Sequence, residues 1–107
     1  MCTSLTSLRF PSQSEIYDTG IICVLDKNMH LKELKLEGAF IKDKSVEKIS
    51  MLPLTSLDLS YNILTDIAAI ELTRCKTLTQ LSLKKTKIIP QGISYLKGLP
   101  NLKYLNI

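Results

Sequence analysis

Along the chain a six-residue pattern, leucine–x–x–leucine–x–leucine, returns five times. Its instances are Leu5-Leu8-Phe10, Leu31-Leu34-Leu36, Leu54-Leu57-Leu59, Leu78-Leu81-Leu83 and Leu102-Leu105-Ile107. Of the 15 apolar positions 13 are leucine, where 19 leucines scattered over 107 residues would supply roughly two or three. The second and third apolar positions lie two residues apart and so point to one side of a short strand. The first lies three residues earlier, where the chain bends into that strand. One such unit cannot bury its own leucines; parallel stacking of successive units turns them into a continuous core.

Between the frames a second pattern predicts helices. Ile16-Tyr17-Asp18-Thr19-Gly20-Ile21, Ile41-Lys42-Asp43-Lys44-Ser45-Val46 and Leu64-Thr65-Asp66-Ile67-Ala68-Ala69 share an aliphatic residue, an Asp two later and an apolar residue three after that. The Asp stands where a helix should begin, able to accept bonds from that helix's free N–H groups and to complement its dipole. In the fourth unit Pro90 takes this place, and proline suits a first helical turn because the N–H it lacks has no partner there. Apolar residues then follow at helical spacing: Ile21, Val24 and Leu25; Val46 and Ile49; Ala69 and Leu72; Ile93 and Leu96. The expected helices lie near 18–25, 43–51, 66–74 and 90–97. The expected fold is α/β: one solenoid over residues 1–107, with repeats starting at 5, 31, 54, 78 and 102. A parallel sheet forms its concave side and short helices its convex side, about 4.5 repeats in all. The array is expected to be part of a larger protein.

These residues resemble the leucine-rich repeat family over the whole chain. The spacing and the aliphatic–x–Asp segment are most similar to the ribonuclease-inhibitor-like and cysteine-containing subclasses, the latter found in F-box proteins and bacterial effectors. Asn28 stands where the cysteine-containing subclass often has Cys, and Cys75 lies within one residue of the same station. The resemblance implies a non-catalytic protein-interaction scaffold, such as the recognition part of a ubiquitin-ligase adaptor or of an effector. At the ninth repeat position, where the family commonly places a loop-bonding Asn, this chain has Gln13, Ala39, Asn62 and Thr86. Only Asn62 keeps the pattern, so no continuous asparagine ladder is expected.

Composition adds compartment and charge. Hydrophobic residues make up 45% and charged residues 22%, the balance of a globular chain. No apolar run is long enough to span a bilayer, and the N-terminus carries no signal-peptide pattern. Three cysteines at unrelated spacings, Cys2, Cys23 and Cys75, form neither a disulfide framework nor a metal pattern. These features point to an intracellular protein, or to a secreted effector acting in a cytosol. Residues 1–71 hold all ten acids and seven bases, whereas Arg74, Lys76, Lys84, Lys85, Lys87, Lys97 and Lys103 face no acid in residues 72–107. Either a truncated array that has lost acidic neighbours or an anion-binding end accounts for this split.

Catalytic chemistry is not visible. His30 lies just before a strand, seven residues from Cys23 and without an identifiable orienting group, so it reads as a loop histidine. Cys23 and Cys75 read as small buried hydrophobes. The four glycines are scattered, and the column Asp18, Asp43, Asp66 is explained by helix starts without a metal. No enzyme, cofactor or metal is expected. What remains is the open face of the sheet, whose candidate partner-binding residues are Arg9, Glu33, Lys35, Glu37, Ser56, Asp58, Tyr61, Gln80, Ser82, Lys84, Tyr104 and Asn106. Three functions compete: binding a protein on that face, binding nucleic acid or an anionic membrane through the basic C-terminal third, and service as the repeat region of an enzyme whose catalytic domain lies elsewhere. Self-association through the Leu102–Ile107 edge is a further expectation, since a strand edge exposes unpaired N–H and C=O groups.

Overall fold

The computed structural model describes residues 5–107. Five strands, β1 (Ser7–Arg9), β2 (Glu33–Lys35), β3 (Ser56–Asp58), β4 (Gln80–Ser82) and β5 (Tyr104–Asn106), form one parallel sheet in chain order. Between them run α1 (Tyr17–Asp26), α2 (Asp43–Ile49), α3 (Asp66–Leu72) and α4 (Pro90–Leu96), each packed on the next. Each helix overlaps the stretch its apolar spacing foretold: α1 runs one residue past both ends, and α2, α3 and α4 end one or two residues earlier.

The strands pair without slippage: Leu8, Leu34, Leu57, Leu81 and Leu105 stand in one row. A shared carbonyl sets this register. The N–H groups of Lys32 and Glu33 both donate to the Thr6 carbonyl, those of Thr79 and Gln80 to Thr55, and those of Lys103 and Tyr104 to Thr79. A slip of one residue would turn the leucines to solvent.

Burial follows position in the stack. Leu31, Leu34, Leu36, Leu54, Leu57, Leu59, Leu78, Leu81 and Leu83 are buried, together with Ile21, Leu25, Val46, Ile49, Ala69, Leu72 and Leu96 from the helices. At the ends Leu8, Phe10, Leu102 and Leu105 are only half-buried, and Ile107 is exposed, because each has neighbours on one side alone.

The Asp column does something different from what its helix-start positions suggest. Asp18 accepts from the Lys42 N–H (2.9 Å) and from the Ser45 hydroxyl, in the following repeat. Asp43 accepts from the Thr65 N–H (2.9 Å) and hydroxyl (2.5 Å), and Asp66 from the Ile89 N–H (3.0 Å). Each carboxylate thus ties its repeat to the N-terminal region of the next helix. Asp66 also explains Gly92: a Cβ there would lie 2.5 Å from the Asp66 carboxylate oxygen.

Asn62 is a second tie. Its side-chain oxygen accepts from the N–H groups of Ala39 (3.0 Å) and Ile41 (3.1 Å), while its amide donates to the carbonyls of Leu36, Leu59 and Ser60. It is the one rung the sequence retains, since Thr86 bonds only locally to the Leu83 carbonyl.

The cysteines divide. Cys75 is buried as expected, near the carbonyls of Leu52 and Leu54, and burial pushes its thiol pKa up. Cys23 is exposed, contrary to the sequence reading. The buried face of α1 is carried by Ile21 and Leu25, and a residue two positions from each points to the opposite side. Cys2 lies outside the described residues.

Three outcomes follow from this packing. Leu57→Ala or Leu81→Ala should destabilise by roughly 2–5 kcal/mol and Leu105→Ala by less, as read in denaturant melts; equal losses would contradict a stacked array. Asn62→Ala strands two buried N–H groups and should lower stability by at least about 2 kcal/mol. In the native protein at neutral pH, a thiol reagent should label Cys23 and spare Cys75, and only unfolding should bring Cys75 to the same rate.

Candidate functional site

The concave side of the sheet carries a groove of about 500 Å³. Because strand residues alternate faces, those flanking the central leucine of each strand lie on this side of the sheet. One row across the strands reads Arg9, Lys35, Asp58, Ser82, Asn106, and its neighbour Ser7, Glu33, Ser56, Gln80, Tyr104. The groove gathers Lys35, Ser56, Asp58, Gln80, Ser82, Tyr104 and Asn106 from the sequence-derived candidates.

Part of this surface is fixed by internal bonds. The Ser60 hydroxyl sits 2.8 Å from that of Ser82 and accepts from the Lys84 N–H (3.1 Å), while the Ser60 N–H donates to Asp58 (3.0 Å). Ser56 donates to Gln80 at 3.4 Å. Among the described residues, no such side-chain bond holds Lys35, Lys103, Tyr104 or Asn106. The ion pairs among the described residues are Lys48–Asp26 and Arg74–Glu71, both on the helical side, so neither groove lysine is neutralised by a carboxylate. Tyr104, two-thirds exposed, offers the largest contact area.

Other candidates stand apart from the groove. Arg9 and Glu33 lie towards the N-terminal end, and Lys84 is exposed just past β4. Glu37 and Tyr61 line a separate hollow with Ser12, Gln13, Gly38 and Phe40. Tyr61 belongs to the turn after β3, with φ 61°, and that turn carries its ring off the strand face. Lys103 is a groove residue the sequence reading passed over, and its place one residue before β5, in the row of Thr55 and Thr79, could have signalled it.

No three His, Cys, Asp or Glu side chains among the described residues come together as a metal site, and His30 is exposed in the turn before β2. No described helix is long and apolar enough to cross a membrane. The seven bases of the last third do not form one stripe: Lys103 faces the groove, Lys85 and Lys97 line a hollow under the last strand, and Arg74 lies among the helices.

Among known families, the model described as Leucine Rich repeat matches residues 27–50 and 52–72, the second and third units of the array. No curated protein is similar enough to the chain to count as a match. Proteins built from these repeats typically bind protein partners and act without catalysis of their own. Two repeats matched in sequence, within five strands stacked in a single register and backed by four helices, give this chain the fold of an α/β leucine-rich repeat solenoid.

Proposed function

We propose that the chain is a non-catalytic scaffold that binds a protein partner in the concave groove, through Lys35, Asp58, Ser82, Lys103, Tyr104 and Asn106. The supporting observation is the combination of a register-locked sheet with a groove whose largest side chain, Tyr104, and both lysines have no side-chain hydrogen-bond or ion-pair partner among the described residues. The backbone of such a surface is ordered before binding, so little backbone entropy remains to be lost on association. Tyr104, on the last strand lining the groove, provides contact area at low rotamer loss. The family resemblance extends the proposal to a recognition element of a ubiquitin-ligase adaptor or of a bacterial effector, with the groove selecting the bound protein.

The test compares affinity capture by the chain, by an Asp58→Lys/Ser82→Arg variant and by a Gln91→Arg/Ser94→Arg control on the helical side. Proteins retained by the chain and the control but lost by the groove variant are expected. For a partner so identified, Tyr104→Ala should weaken binding by at least about 1–2 kcal/mol. Retention of the same partners by the groove variant would rule out the concave site. In a parallel arm, tight salt-sensitive binding of duplex DNA that is abolished by Lys84→Glu/Lys85→Glu/Lys87→Glu would favour the basic third instead.

A further inference from the structure

Beyond the concave groove, the edge where strands turn into helices carries a second hollow of about 330 Å³. Its walls are Tyr17, Phe40, Tyr61 and Ile63, contributed by three successive repeats. The Tyr17 and Phe40 rings stack with centroids 5.6 Å apart and planes 29° from parallel. Each of the three aromatic residues sits in the left-handed region, with φ of 60°, 60° and 61°, and each is about half exposed. That backbone region is disfavoured for residues with a bulky side chain; the position of Tyr61 is held in the second repeat by Gly38 (φ 59°), without penalty, and in the fourth by Lys85 (φ 57°). The rings therefore gain little burial within the fold in return for a disfavoured backbone. Such a conformation is a pointer to function.

Charge at this edge selects the occupant. The neighbouring carboxylates Asp18 and Asp43 are committed to the backbone and hydroxyls of the next repeat. Lys42 is the sole charged residue lining the hollow and has no carboxylate partner among the described residues. Two more exposed lysines, Lys85 and Lys87, follow on the next turn, which is held alongside by the bonds Tyr61 N–H to Lys84 O and Lys87 N–H to Leu64 O, both 2.8 Å. A cationic ligand caged by the rings would meet Lys42 directly. An anionic ligand with an apolar anchor meets both features. Glu37 stands on the concave side of Phe40 and Tyr61, so carboxylates approach from the repeat-four side.

We propose that this edge hollow docks a short acidic segment of a partner protein, seating one aromatic or branched aliphatic side chain among Tyr17, Phe40 and Tyr61 and placing carboxylates beside Lys42, Lys85 and Lys87. The site is independent of the concave groove, and either can fail without the other.

A library of randomised peptides displayed on phage, panned against the chain, gives the test. Enriched peptides are expected to carry an aromatic or branched aliphatic residue flanked by Asp or Glu. A synthetic peptide from the enriched set should bind the chain in fluorescence anisotropy and lose at least about tenfold in affinity with Lys42→Glu, through like-charge repulsion. Phe40→Gly/Tyr61→Gly removes the ring walls at positions whose backbone favours glycine, so it should melt no lower than the parent yet lose the peptide. If that double variant does not fold, Lys42→Glu alone decides. The concave variant Lys35→Glu should bind the peptide unchanged. Enrichment of peptides without acids, no enrichment at all, or binding insensitive to Lys42→Glu would overturn the proposal. So would a stronger response of the same variants to phosphatidylserine vesicles than to the peptide, which would assign the edge to a membrane.

Discussion

The stacking of one leucine row on the next is the interaction on which the rest of the molecule depends. A three-residue strand makes too few hydrogen bonds to persist alone and buries too little to repay its ordering. Placed between two copies of itself, the same segment has its N–H and C=O groups paired on both sides and its leucines sealed. Leu57 is 2% exposed, whereas Leu105, the same residue type in the same place of its repeat, is only half-buried. The difference is the number of neighbours and nothing intrinsic to the segment.

Polar ties convert that stack from a greasy column into a structure with one register. The carbonyls of Thr6, Lys32 and Thr55 each take two N–H groups from the following repeat, and Asp18, Asp43 and Asp66 each reach forward to the start of the following helix. Asn62 adds a bridge between the second and third turns. The bonds run between repeats, so loosening one repeat weakens its neighbours, and cooperativity is carried along the array. Pro90 ends the Asp column: the fourth helix gains a favourable first turn but has no carboxylate there to send forward. The groove and the edge hollow inherit their rigidity from these ties, since both are walled by residues of consecutive repeats whose spacing is fixed.

The sequence by itself determined the architecture. Thirteen leucines in fifteen frame positions carry a period that only stacked repeats can satisfy, and from it the five strands, their parallel order, the four helices and the outward rows could all be read. Burial of Leu57, Leu59, Leu81 and Leu83 was legible for the same reason. So was the solitary asparagine rung, because its absence at 39 and 86 is a matter of residue identity. The row Lys35, Asp58, Ser82, Asn106 was legible too, because strand alternation is local geometry.

Only the tertiary structure decided where local geometry meets the neighbouring repeat. That the Asp carboxylates reach forward, and do not cap their own helices, depends on an inter-repeat distance that no single segment encodes. The same holds for Gly92, whose missing Cβ makes room for an Asp 26 residues earlier. Cys23 and Tyr61 mark the other limit. Cys23 falls outside the buried stripe of α1 once Ile21 and Leu25 define it, and a left-handed turn swings Tyr61 off the sheet face towards Phe40 and Tyr17. Periodicity fixes which residues face the core, but where the remaining side chains converge depends on turn conformations and neighbours that are set only when the repeats stack.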